Sequence, residues 1–226
     1  MSLGFSLVPQ VFGTPEVERL VRELDSCSIQ RSRAGARHLL SLPQFVALAR
    51  DPRLIELAAN VLGCEPVPFG ATLFDKSTEA NWLVAWHQDT ALPLVERRDV
   101  QDWGPWSTKG GVVYAHAPAE ALAQVVALRL HLDDSTLENG PLRVLPGTHS
   151  VGVLSDAQIH QLAQRIEPVA CAVGRGGVLV MRPLLVHASS KSVGRVPRRV
   201  LHFEYSASEG FCNGLQLRAA YRCGEP

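Results

Sequence analysis

Apolar positions in the first sixty residues recur at helical spacing. Thr14 can cap, Pro15 suits a first turn, and Glu16 and Glu18 suit its positive end. Val17, Leu20, Val21 and Leu24 then follow at intervals of three and four. The spacing predicts a helix from Thr14 whose apolar face packs on a sheet. A second helix is predicted over 43–62, where Leu48, Leu54, Ile55, Leu57, Ala58 and Val61 share a face and Gly63 supplies the stop.

From Val67 the texture changes to short runs of strand-forming residues divided by Gly, Pro and Asn. They cover 70–76, 82–89, 125–133, 142–145, 177–181, 184–187 and 199–206. Short strands after a helical section predict a mainly β chain, a sandwich or barrel with the N-terminal helices packed on one side. Between the second and third runs, 91–124 shows little periodicity and carries Trp103, Trp106, Lys109, Gly110 and Gly111. An insertion of that length in a compact domain tends to be functional, and this one is expected to be a lid. The expected organisation is a single domain over 1–226, helical over 1–66 and β-rich over 67–226.

Composition narrows the function. With 226 residues, 46% of them hydrophobic, the chain can bury one sizeable core. Its 22 basic and 22 acidic residues balance, so no net field draws nucleic acid or an anionic membrane, and a small molecule is the expected partner. Cys27, Cys64, Cys171, Cys212 and Cys223 are odd in number and scattered, which argues against a disulfide framework or a structural zinc site. The start lacks a basic segment followed by a long apolar core, and no apolar run is long enough to span a bilayer. A reducing, cytoplasmic setting is expected.

The chemistry centres on Trp86-His87-Gln88-Asp89. Side chains alternate faces along a strand, so His87 and Asp89 point the same way, as two ligands of one metal must. A second histidine would complete the two-histidine, one-carboxylate set of non-haem Fe(II) oxygenases. His149 and His187 are the candidates. An oxygenase using 2-oxoglutarate needs a cation for the far carboxylate, best met by the planar fork of Arg. Arg198 lies 11 residues beyond His187, whereas the same offset from His149 reaches His160, so His187 is the better ligand. Since strand neighbours face opposite ways, only one of Arg198 and Arg199 can enter the pocket, and Arg198 is expected there. His38, His116, His160 and His202 read as surface or hydrogen-bonded core histidines. The basic stretch from Arg31 to Arg37 reads as a solvated turn, and Gly174-Arg175-Gly176-Gly177 as a turn before a strand.

Taken in order, these residues carry a resemblance. Phe74-Asp75-Lys76, Trp86-His87-Gln88-Asp89, the run from Asn139-Gly140-Pro141-Leu142 to Pro146-Gly147-Thr148-His149, and His187-Ala188-Ser189-Ser190 with Arg198 are similar to the phytanoyl-CoA dioxygenase family. The resemblance implies a double-stranded β-helix, the cupin-like jelly-roll, with Fe(II) held by His87, Asp89 and His187. It implies 2-oxoglutarate held at its keto-acid end by the iron and at its far carboxylate by Arg198 and Ser189. Thr72 falls where the family places another cosubstrate contact. Arg129 departs from the family, standing where founding members carry an inward aromatic. It offers a second cation for cosubstrate or an acidic substrate, with His131 on the same face, unless it pairs with Asp133 or Asp134 on the outer face. Lys76, Gln88, His131, Trp103 and His149 are further candidates for contact with substrate or ligands. Hydroxylation of a metabolite or natural-product intermediate, with release of succinate and CO2, is the implied reaction, and Asp89 favours it because related halogenases replace that carboxylate by a small residue. The alternative is a cupin-type metal-binding protein or metalloenzyme that does not use 2-oxoglutarate.

Overall fold

A computed structural model describes residues 1–32, 35–77, 80–194 and 196–218 and divides their strands among three antiparallel sheets. The elements are β1 (Phe5–Val8), α1 (Thr14–Ser26), β2 (Gly35–Ala36), α2 (Pro43–Ala49), α3 (Pro52–Leu62), β3 (Val67–Lys76), β4 (Val84–His87), β5 (Ala91–Leu94), β6 (Trp106–Lys109) and β7 (Val112–His116). There follow α4 (Ala119–Leu122), β8 (Val125–His131), β9 (Leu142–Val144), α5 (Asp156–Arg165), β10 (Val169–Cys171), β11 (Val178–Met181), β12 (His187–Ser189) and β13 (Arg198–Ser206). A major sheet ordered β1-β11-β8-β13-β3-β2 faces a minor sheet ordered β10-β9-β12-β4, the jelly-roll core expected from the motifs. None of the described helices is long and apolar enough to cross a membrane.

Strand alternation gives the major sheet two different faces. Ala71 and Leu73 of β3, Val126, Leu128 and Leu130 of β8, and Leu201, Phe203 and Tyr205 of β13 point outward. They pack against Val17, Leu20 and Leu24 of α1, Phe45 of α2 and Leu54 of α3. Tyr205 fixes this layer by donating from Oη to the Ala49 carbonyl at 2.8 Å. The alternate residues of the same strands face the minor sheet. All seven residues of β8 are buried because both its faces are covered, so Arg129 and His131 are enclosed between the sheets.

Several elements differ from the sequence pattern for local reasons. The helix expected over 43–62 is two helices, because Pro52 lacks the N–H to continue the ladder and Asp51 caps the restart, accepting from Arg53 N at 3.0 Å. Gly63 ends it as expected, at φ +74°. The cap of α1 is Gly13 rather than Thr14, with the Glu16 carboxylate accepting from the Gly13 N–H at 2.8 Å. The run at 184–187 is largely connecting chain, and the strand begins at His187. β1 carried no strand signal, yet it pairs with β11 from Phe5↔Met181 to Val8↔Val178.

The stretch 91–124, expected to be a lid, has regular structure of its own. It forms a third sheet ordered β5-β7-β6 with α4 behind it, over a cluster that includes Phe69, Leu92, Leu94, Leu122 and Phe211. In the basic stretch from Arg31 to Arg37, residues 33 and 34 lie outside the described residues, as does Cys223. Arg31 pairs with Asp75 at 2.9 Å.

Candidate active site

Two strand ends of the minor sheet meet at the site. His87, the last residue of β4, and His187, the first of β12, are direct cross-strand partners, with ring centroids 4.2 Å apart. Asp89 follows two residues after His87, its backbone N–H donating to the Pro183 carbonyl at 3.0 Å. Its carboxylate bridges the rings: Oδ1 lies 3.5 Å from His87 Nε2 and Oδ2 lies 3.5 Å from His187 Nε2. The three ligand atoms lie within 4.8 Å of one another.

Each imidazole is oriented through its other nitrogen. His87 Nδ1 lies 2.8 Å from the Ala85 carbonyl and His187 Nδ1 lies 2.9 Å from the Leu185 carbonyl. A carbonyl only accepts, so both Nδ1 atoms carry a proton and both Nε2 atoms face Asp89, the nitrogens left to bind a divalent metal once His87 gives up any proton it shares with Asp89. Burial holds the His187 pKa down to about 4, so it is neutral at pH 7. Burial alone would raise Asp89, but His187 and His87 outweigh it and hold the carboxyl well below its ordinary range. The donor set therefore fits one divalent cation without rearrangement.

Beside the triad the inner face of the major sheet gathers positive charge. Lys76, Arg129 and Arg198 are 1%, 5% and 3% exposed, and none forms a salt bridge with an acid among the described residues. Lys76 Nζ donates to Ser189 Oγ at 2.8 Å and to the Ser190 carbonyl at 2.6 Å. Arg198 donates to the same Ser189 Oγ at 3.3 Å, leaving its Nε and Nη1 without partners. Arg129 sits 4.9 Å over the Phe74 ring, with Nη1 3.2 Å from His202 Nδ1 and Nε unpartnered. Burial, then repulsion from Arg198 and Arg129, lowers Lys76 to about 8. Buried cations with orphaned donors require an anion, and three of them suit a dicarboxylate.

A profile of the family described as phytanoyl-CoA dioxygenase matches residues 4–200. The chain belongs to that family. It is 23% identical over 241 residues to L-proline trans-4-hydroxylase of Streptomyces griseoviridis, covering 90% of this chain and 82% of that one. It is 23% identical over 247 residues to ectoine dioxygenase of Halomonas elongata, covering 92% of this chain and 68% of that one. Among solved structures it resembles HygX of Streptomyces hygroscopicus with nickel and 2-oxoglutarate bound, with a TM-score of 0.66, 20% identity and coverage of 92% and 84%.

The fold brings most of the residues singled out in the phytanoyl-CoA dioxygenase motifs into this one space. Ser189 and Arg198 are in contact, while Arg199 turns outward and pairs with Asp133 at 2.8 Å. Arg129 therefore faces the site, and the outer-face pairing with Asp133 or Asp134 is not formed. His131 is buried with both ring nitrogens unpartnered, and burial, then Arg129 and Arg198, pushes it down to about 3, so it stays neutral. Thr72 is the β3 partner of His202 and shares the inner face with Phe74 and Lys76.

Three candidates fall elsewhere. Trp103 packs on Phe211 at 5.1 Å between ring centroids, inside the cluster under the third sheet. His149 lies against Gly4 and helps line a hollow with Met1, Leu122 and Arg182, on a turn whose Gly147 is held by the Leu3 carbonyl. Gln88 points opposite to its neighbours His87 and Asp89. It donates to the Leu184 and Gly152 carbonyls at 2.7 and 3.0 Å and accepts from Leu154 N at 2.8 Å, so it ties chain segments together.

His202, read from sequence as an ordinary histidine, is an inner-face residue touching Arg129 and packing edge-on to Phe74 at 5.6 Å. Glu204 shares that face and carries no motif signal of its own. Even-numbered spacing from Arg198 along β13 was the available signal for both.

Proposed function

We propose that the protein is an Fe(II)- and 2-oxoglutarate-dependent dioxygenase that hydroxylates a small molecule. The observation that carries this reading is the juxtaposition of His87, Asp89 and His187 with a buried, acid-free cluster of Lys76, Arg129 and Arg198. When bound, Fe(II) with 2-oxoglutarate and dioxygen supplies the oxidising power, with succinate and CO2 as by-products.

The chain's own residues would then divide the work. His87, Asp89 and His187 hold the metal on one side, and Asp89 is retained where a halide-transferring relative would have a small residue. Arg198 offers the cosubstrate's far carboxylate two unpartnered N–H groups, while Lys76 adds charge and Ser189 keeps both cations aimed. Arg129 adds a third cation, which feels the field of Asp89. Neutral His131 and Thr72 complete the polar wall without further charge. The side chains of His87 and Asp89, 38% and 41% exposed, mark the open side from which a substrate approaches.

Balanced charge and scattered cysteines support a cytoplasmic enzyme of small metabolites or natural-product intermediates that does not bind nucleic acid. The test is anaerobic addition of Fe(II) and 2-oxoglutarate to metal-free protein, following the visible charge-transfer band of the chelate. The band is expected in wild type, lost in Asp89→Ala and His187→Ala, and reached only at higher 2-oxoglutarate in Arg198→Ala. Tight metal binding without the band would move the protein to the cupin-type alternative.

A further inference from the structure

The inner face of β13 continues past the cosubstrate cations. Arg198, Val200, His202 and Glu204 alternate along it, placing Glu204 two residues, about 6.6 Å, beyond His202 and away from Arg198. The Glu204 carboxylate forms no hydrogen bond or salt bridge among the described residues. It has room because its cross-strand partner is Gly70, where a Cβ would collide with Oε2. It shares that inner face with Arg198 and His202, and burial, then the Asp89 carboxylate, push its pKa up to about 8 against the pull of Arg37.

Above it the third sheet presents Tyr114. Its ring lies 6.5 Å from the His38 ring between centroids; Arg37 joins His38 to Ala36, the β2 partner of Leu73, and the Arg218 N–H donates at 3.0 Å to the carbonyl of Pro93, the strand partner of Tyr114. Arg37 and Arg218 are exposed, and neither has a salt bridge among the described residues. Being solvated, Arg37 pulls the Glu204 carboxyl down only weakly. The mouth thus presents one half-buried carboxyl, which ionises once a cation pairs with it, and two outer cations near a phenol. That ordering of charge complements a zwitterion.

We propose that Glu204 anchors the protonated nitrogen of an amino-acid-type substrate whose own carboxylate meets Arg37 and Arg218 at the rim, an assignment that rests on the Fe(II)/2-oxoglutarate reading of the triad. A half-buried carboxyl with no protein donor ionises and is satisfied when an ammonium group enters, and an analogue lacking that group leaves it unpaired.

The test uses the full chain loaded with Fe(II) and 2-oxoglutarate, as wild type, Glu204→Gln and Gly70→Ala. The anaerobic chelate band is recorded first in all three, which checks both folding and the parent reading. The twenty protein amino acids are then screened in air for succinate formed above the substrate-free level, with the 2-hydroxy acid counterpart of each responder beside it. At least one amino acid should respond, and its hydroxy acid should not. Glu204→Gln should raise the KM for that amino acid at least 10-fold, and Gly70→Ala should do the same by displacing the carboxylate. No band in wild type overturns the parent reading and this inference with it. A band with no amino acid response, an equal response to the hydroxy acid, or an unchanged KM in the variant that forms the band overturns the inference alone.

Discussion

His87 and His187 stand directly opposite one another across the β4–β12 pair, each with Nδ1 bound to the carbonyl two residues before it. The same local device on both strands aims both Nε2 atoms at one point, so the sheet itself builds the metal site. Although burial opposes it, Asp89 holds the His87 pKa above its ordinary value. Protons therefore compete for this ligand at higher pH than they would for a free histidine. Metal affinity should fall as pH drops through and slightly above the usual histidine range, with proton release on binding at neutral pH, both measurable by calorimetry. Metal at 100 times its Kd should stabilise the fold by about 2.7 kcal/mol, raising Tm by about 5–10 °C, and His187→Ala should abolish that shift.

Arg198 and Arg199 are adjacent in sequence and opposite in role. Arg198→Lys keeps the charge but loses the fork, and should weaken 2-oxoglutarate binding about 10- to 100-fold. Arg199→Ala breaks the outer pair with Asp133 and should lower Tm by a few degrees with the 2-oxoglutarate KM unchanged. Titration of the chelate band in each variant, beside a thermal melt, separates the two. Equal loss of cosubstrate affinity would mean that the face assignment is wrong.

Lys76 ties stability against binding. Its pKa is lowered to about 8, so the unfolded chain binds its proton more tightly than the folded one. Between about pH 8 and the ordinary lysine value of 10.5, the metal-free fold should gain stability as pH rises. Lys76→Met removes the buried charge, so at pH 7 its metal-free Tm should exceed that of wild type by about 2–4 °C, a lead that fades towards pH 10. The same variant should bind 2-oxoglutarate more weakly below pH 8. In wild type that affinity should itself decline above pH 8 as Lys76 loses its proton.

Much of the site could be read in advance because strand alternation is a local rule. It places Asp89 with His87, and it sends Arg198 inward once Arg199 is outward. The same rule, carried two and three steps further along β13, reaches His202 and Glu204, which carry no distinguishing signal because single residues of those types are common in any protein. Trp103 and His149 failed for a different reason. Their surroundings are set by chain segments distant in sequence: Phe211 for the first, Gly4 for the second. The strands of 91–124 were hidden because β6 reads Trp-Ser-Thr-Lys and β5 contains Pro93, neither showing clean alternation.

Gln88 offers the sharpest test of how that framework supports the metal. It lies between two ligands without pointing at the metal, and its amide satisfies three backbone groups from the segments around Gly152 and Leu184. Gln88→Leu keeps the volume but leaves two carbonyls and one N–H without partners, costing about 1–3 kcal/mol for a buried group left unpaired. The loss should not stop at stability. The Asp89 N–H is held by the Pro183 carbonyl, next to the Leu184 carbonyl that Gln88 grips, so loosening that segment frees the carboxylate to drift from the two Nε2 atoms. Metal affinity should fall about 10- to 100-fold, as for other groups that orient ligands without touching the ion. Calorimetric titration with Fe(II) or Ni(II), below the Tm of the variant, distinguishes this from simple destabilisation: a folded Gln88→Leu protein with wild-type metal affinity would show that β4 and β12 position the triad unaided.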